Sequence, residues 1–310
     1  MTKLVRRRIL LAKVESTYNT DAVPTGADNA ILIEELNWAT EGLRMVDRPA
    51  IRSSLGSLQQ VYGGSLLSVT FTAEVKGSGT AGTAPEIGAL FLGCGMAETI
   101  VAVTSVAYDP ASASQSSLTL YFYEDGTLTK LTGCRGSYTL QGEVGGRLMA
   151  SFTFTGHFSG PTDIALATPT YDSTVPPIMI NGSFTIGGYS AVIQSLDVDM
   201  GITVETPPNL SATDGYGEVL VTSRDVSGSI NPEQPLVAAH DFMVAFKAGT
   251  TEALSMGPIG ATAGNQVQIT MPAVYYRDMA PSEREGVLAY DLTFGAAESS
   301  GDDEISLILT

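Results

Sequence analysis

The sequence predicts a mainly antiparallel β protein of two tandem sandwich or barrel domains, each with one short helix. Three observations predict it. Composition is the first: of 310 residues 33 are glycine and only 16% are charged, a balance that favours strands and turns over helices. Alternation is the second. "GRLMASFTFTGHF" from Gly146 puts Leu148, Ala150, Phe152 and Phe154 on one side of a strand and small polar residues on the other. Repetition is the third, because "GVLAYDLTFGA" from Gly286 repeats that pattern 140 residues later with Leu288, Tyr290, Leu292 and Phe294.

Taken in order, residues 1–29 read as an N-terminal arm with weak periodicity, and residues 30–160 as the first domain. "ELNWATEG" opens that domain with Leu36 and Trp38 facing inward. "SVTFTAEVKG" follows, with Val69, Phe71, Ala73 and Val75 inward. "PEIGALFLGCG" after Pro85 is a short helix that stops at glycine. In "LTLYFYEDGTLTKLTG", Asp125-Gly126 between alternating segments is the chemistry of a tight hairpin turn with positive φ. Residues 161–178, rich in Pro and Thr, form a linker.

The second domain, 179–297, repeats the series. "SLDVDMGITVE" directs Leu196, Val198, Met200, Ile202 and Val204 inward, "SRDVSGSI" buries Val226 and Ile230, and "PLVAAHDFMVAFKAG" supplies the helix. Residues 298–310 form a C-terminal tail in which "SGDDE" is solvated. The apolar "EISLILT" is suited to extending a neighbouring chain's sheet edge.

Charge bounds the partners. The formal net charge is −17, yet the first 52 residues hold eight basic and seven acidic side chains, so the body carries the excess. A body that acidic repels nucleic acid rather than gripping it. Cys94 and Cys134 are too few for a disulfide framework and read as reduced thiols of a protein made in a cytoplasm. The only N-terminal apolar run, Ile9 to Ala12, is shorter than the ~7–15 residues of a signal-peptide core. No stretch is apolar enough to span a bilayer.

The motifs of chemistry are weak. "GSGTAG" from Gly77 fits a dinucleotide-binding pattern but lacks a parallel βαβ setting, so it reads as a Gly/Ser loop. His157 and His240 have no partners at metal-ligand spacing. No nucleophile elbow or phosphate loop is present. The expectation is a protein without cofactor or catalytic site. A tail-tip, decoration or carbohydrate-binding β module stands as the alternative to a polymerising one, and that alternative requires exposed aromatics.

Three segments carry a family resemblance: "RRRILLAKVESTYNTDAVPTGADNAILIEELNW", "PEIGALFLGCGMAET" and "LTLYFYEDGTLTKLTGCRGSYTLQGEVGGRLMASFTFTG". In that order they resemble the major tail tube proteins of long-tailed bacteriophages, over residues 3–160 and more weakly 180–297. The resemblance implies a virion protein, assembled in the host cytoplasm. Its rings stack into a hollow tube through which DNA passes without specific binding. Tail terminator, tail tip and tape measure proteins would be its partners. Two domains in one chain imply a pseudo-sixfold ring of three chains. The polar strand faces would line the lumen: Glu35, Asn37, Thr70, Thr72, Glu74, Ser151, Thr153 and Thr155 from the first domain, and Asp197, Asp199, Thr203, Asp225, Ser227, Asp291 and Thr293 from the second. The basic arm and the 41–64 loop would reach an adjacent subunit's acidic surface through Arg6, Arg7, Arg8, Arg44, Arg48 and Arg52.

Overall fold

Alternation becomes structure wherever one strand face can be buried. In a computed structural model that describes residues 3–310, the first half of the chain contains β1 (Arg8–Val14), β2 (Ala30–Ile31), β3 (Glu34–Glu41), β4 (Met45–Val46), β5 (Val61–Tyr62), β6 (Leu66–Glu74), α1 (Gly88–Gly93), β7 (Met96–Val101), β8 (Ser105–Pro110), β9 (Leu118–Glu124), β10 (Thr127–Glu143) and β11 (Met149–Asp163). The second half contains β12 (Phe184–Ile186), β13 (Tyr189–Ser190), β14 (Ser195–Asp199), β15 (Thr203–Glu205), β16 (Leu220–Ser223), β17 (Ser227–Ile230), α2 (Phe242–Ala248), β18 (Glu252–Ile259), β19 (Val267–Arg284), β20 (Val287–Ala296) and β21 (Ser306–Leu309). Met1 and Thr2, the start of the expected arm, lie outside the described residues.

The strand order repeats. In the first half the antiparallel ladders run β2–β1–β9–β10–β11–β6–β3. In the second they run β13–β12–β18–β19–β20–β17–β14, with each half's helix between equivalent strands. The two arrays join where the far end of β10 pairs with β14, from Thr139↔Asp199 to Glu143↔Ser195. The result is a barrel-like wall whose ladders branch at β10 and β19, around one contiguous apolar core.

The inward residues of "SVTFTAEVKG" and "GRLMASFTFTGHF" are all buried, as are Val226 and Ile230. Phe152 stacks on Phe71 and tilts against Phe91, with centroids at 5.7 and 5.5 Å. The Asp125-Gly126 turn has positive φ at both residues, 35° and 101°. α2 begins with the Asp241 side chain accepting from the Val244 N–H and ends at Gly249 in the left-handed conformation.

Several positions differ from the alternation. Trp38 is 51% exposed, because β3 pairs on one side only, with β6. Leu288 lies exposed at the tip of the β19–β20 hairpin, beyond the core's reach. Gly201, at φ 55°, breaks the long strand expected from Ser195, and β15 forms a separate ribbon with β16 that leaves Ile202 and Val204 only half-buried.

Within residues 1–29, β1 is a wall strand on the ladder position that β12 holds in the other half. Leu10 and Ala12 enter the main core, while Ile9 and Leu11 form a second cluster with Tyr121, Tyr123 and Leu128 that linker residues Leu166 and Tyr171 cover. The C-terminal segment adds its strand within its own chain: β21 lies between β8 and β19, with Leu307 opposite both Tyr108 and Ile269. The "SGDDE" acids are engaged too, since Arg224 pairs with Asp302 and, at 3.0 Å, with Glu304.

Candidate functional site

The β10–β14 ladder makes one sheet of the order β3–β6–β11–β10–β14–β17–β20–β19. Its core face carries the apolar alternates, so its other face carries everything between them. Registers across the strands define rows on that second face. One row runs Glu34–Thr72–Ser151–Thr139–Asp199–Ser227. The next runs Glu74–Met149–Gln141–Asp197–Ser229–Thr293–Asp278. A third holds Asn37, Thr70, Thr153 and Ser137.

Of the residues expected on one polar surface, Asn37, Thr70, Thr72, Glu74, Ser151, Thr153, Thr155, Asp197, Asp199, Ser227, Asp291 and Thr293 fall on this face by register. Glu35, Thr203 and Asp225 do not. Glu35 is bulged at φ 50°, so Glu34 takes the register place opposite Thr72. Thr203 belongs to the separate β15–β16 ribbon. Asp225 lies between strands and binds Arg277.

The face is electrostatically uneven. Its first-half part is mostly hydroxyl, and the Thr70 and Thr153 hydroxyls are 3.2 Å apart. Its second-half part is acidic, with Asp197, Asp199, Asp278 and Asp291. Arg147 bridges Glu34 at 2.9 Å and Glu74, and Arg277 lies beside the Tyr275 ring, 5.5 Å from its centroid. Thr139 and Gln141 were legible in the alternating "YTLQGE". Arg277 was not, because the β19 bulge between Tyr276 and Asp278 shifts the register.

The arginines divide differently from the expectation. Arg7 pairs with Asp125 at 2.8 Å, and Arg8 with Glu124 at 3.1 Å, so both meet acids of their own chain. The cause is the β1–β9 register, which sets Arg8 directly opposite Glu124. Arg8 also donates to the Leu36 carbonyl at 2.6 Å. Arg44 lies 4.0 Å over the Tyr216 ring and donates to the Gly215 carbonyl. Arg52 donates to the Ser57 carbonyl at 3.2 Å within its own loop. Arg6 and Arg48 are exposed.

Arg44 belongs to a contrast between two equivalent loops. Residues 206–219, after β14–β15, dock on the first half. Asp214 approaches His157 Nδ1 at 2.6 Å, Tyr18 Oη approaches His157 Nε2 at 3.2 Å, and the Val219 N–H donates to Tyr18 Oη at 2.7 Å. Burial pushes the Tyr18 phenol up to about 12. A cleft of about 650 Å³ remains beside these groups. The first-half counterpart, residues 42–64, meets that loop at its ends through Gly42 and Arg44 and is otherwise largely exposed, Ile51 and Leu55 fully so.

Among the described residues, no three His, Cys, Asp or Glu side chains are grouped to hold a metal, and no helix is long and apolar enough to cross a membrane. A sequence profile of the phage tail tube protein family matches residues 6–306. No curated protein matches the chain.

Proposed function

The chain belongs to the phage tail tube protein family, and on that premise we propose that three copies close a ring with a channel for DNA and that rings stack into the tube. It is a structural tail protein rather than an enzyme. The observation that carries the ring is the repeated strand order together with the join between the repeats.

Within the chain, β14 of the second half pairs with the far end of β10. The equivalents of β14 and β10 are β3 and β19. Among the described residues, the outer edge of β3 has no strand partner, and neither has the edge of β19 from Tyr275 to Arg284 that does not face β20. Each chain therefore ends in two edges that complement each other as β14 and β10 do. A heterologous contact of this kind closes if its rotation allows, and the in-chain join sets that rotation. Transferring its register places Trp38 opposite Pro281, Asn37 opposite Ser282 and, past the Glu35 bulge, Glu34 opposite Arg284.

Burial supports this register. Val198, between β10 and β17, is 1% exposed, whereas its equivalent Trp38 has a strand on one side only and is 51% exposed. A neighbour's β19 would cover it. The same operation turns the polar face toward the axis in every chain, where its acids meet passing phosphates. At physiological salt the Debye length is ~8 Å, so such a wall prevents adhesion at short range and does not drive the DNA. The exposed 42–64 loop then lies at the strand ends, where it would meet the next ring. Terminator, tip and tape measure proteins would complete the tail, with assembly in the host cytoplasm.

Two measurements test it. Reconstruction of assembled tubes is expected to give three chains per ring, and six complete chains would overturn the stoichiometry. Oxidation of an Asn37→Cys, Ser282→Cys variant is expected to link neighbouring chains covalently. Cys94 and Cys134 are buried, with thiols that burial pushes well up, so they do not compete. Tubes that form without that crosslink would refute the ladder.

A further inference from the structure

We infer that both sheet edges used in the proposed ring are blunted, by Pro281 on β19 and by Arg8 over β3, so that separate chains join these edges more weakly than the matching in-chain join. This rests on the ring reading above and adds a control to it.

The geometry at Pro281 follows from its partner. Pro281 pairs with Tyr290 of β20, and the Tyr290 N–H donates to the Pro232 carbonyl on the side away from β19. Pro281–Tyr290 is therefore a non-hydrogen-bonded pair, and the backbone groups of Pro281 point to the open edge. At that spot an ordinary residue would present an N–H, and proline presents none. The equivalent position in the in-chain join is Leu140. Its neighbours in phase, Tyr138 and Val144, bond across to β14: the Tyr138 carbonyl accepts from the Met200 N–H and the Val144 N–H donates to the Gln194 carbonyl. Leu140 thus supplies a donor to the join within the chain, and Pro281 withholds it from the join between chains.

The opposite edge carries the second guard. Leu36 and Trp38 are in phase on β3, and the Leu36 carbonyl is already taken by the Arg8 guanidinium at 2.6 Å. By the transferred register that carbonyl is the acceptor for the Glu283 N–H of a neighbour. Arg8 is only partly exposed and is fixed further by Glu124 at 3.1 Å, so a neighbour's N–H must share that oxygen with the guanidinium or displace it. Prolines and inward-reaching charges on sheet edges are the known means of preventing indiscriminate edge pairing. Here both are found on the two edges that must meet, while the matching in-chain join at Leu140 has neither.

The test compares self-association of the purified full chain with that of Pro281→Val and Arg8→Gln, by sedimentation velocity and light scattering over a concentration series. One restored hydrogen bond favours a junction about fivefold, so a ring of three junctions gains on the order of a hundredfold. The midpoint of a three-chain equilibrium varies as the inverse square root of its constant, so we expect Pro281→Val to form rings at roughly tenfold lower concentration and to lose the lag before tube growth. Arg8→Gln is expected to shift in the same direction. Pro281→Ala restores the same N–H with less bulk and serves if the valine variant melts early. The Asn37–Ser282 cysteine crosslink, read in parallel, separates the two ideas. Crosslinked tubes with an unchanged threshold in all variants would overturn the gate and leave the ring ladder standing. Wild-type chains that assemble without lag at the lowest concentration would also overturn the gate. Tubes without the crosslink would remove the ladder and the gate together.

Discussion

Phe152 packs at the centre of the first-half core, fully buried among Phe71, Phe91, Tyr138 and Phe154. Its value to the fold follows from that setting, because rigid aromatic neighbours on several sides cannot collapse into the space it would leave. Phe152→Ala is therefore expected to destabilise the chain by about 3–5 kcal/mol, the range for a large aromatic truncated in a core. Chemical denaturation of the unassembled protein measures it, and a loss below about 1 kcal/mol would mean that the core repacks or is loose. Residues such as this one were legible in the sequence, since a strict period of two with four consecutive apolar alternates leaves one choice of buried face. Trp38 was not legible to the same degree. Its register on β3 is the expected one, but burial depends on a strand beside it, and the chain alone does not provide that strand.

At the scale of elements, the strands that alternation could not reveal are those with unusual surroundings. β1 is buried on both faces, so "RILLAKV" reads as an apolar run rather than as a strand. β2 and β13 are two residues long and carry no periodicity at all. β21 was visible as an apolar segment, but its partner was not, because strand pairing over such separations is set by the whole sheet. Ile305, Leu307 and Leu309 are buried there between β8 and β19. Burying each contributes about 1.5–3 kcal/mol, so a chain ending at residue 303 is expected to melt far below the full chain and to expose the β7–β8 hairpin to protease. An unchanged melting temperature would show that β21 is ornamental.

The tether before it adds a pH dependence. Hydrogen bonds from Ser112, then from Arg224, lower the Asp302 carboxyl from 3.8 to about 2. A lowered value means that its contribution is present above pH ~4 and is lost as the pH falls through about 2. Fraying of residues 298–310, followed by hydrogen exchange, is expected over that interval and not between pH 5 and 8.

For the whole molecule, the proposed ring would turn two unequal halves into a channel whose backbone is pseudo-sixfold and whose charge is threefold. In the proposed ring the hydroxyl-rich part of the face, Thr70, Thr72, Ser151 and Thr153, alternates around the axis with the acidic part, Asp197, Asp199, Asp278 and Asp291. Hydroxyls offer phosphates only neutral hydrogen bonds. The carboxylates repel them, and Arg147 and Arg277 lie against acids rather than free. Replacing Asp197 and Asp199 with lysine in one variant tests whether this face lines the channel. Both positions are solvent-facing on paired strands, so the ring is expected to assemble normally. The new cations would release counterions from passing DNA and hold it, an effect that weakens steeply as salt rises. Ejection from assembled particles is therefore expected to slow at low ionic strength and to recover toward the wild-type rate in high salt. A wild-type rate at every salt concentration, in particles shown to contain the variant, would place Asp197 and Asp199 on the outside of the tube.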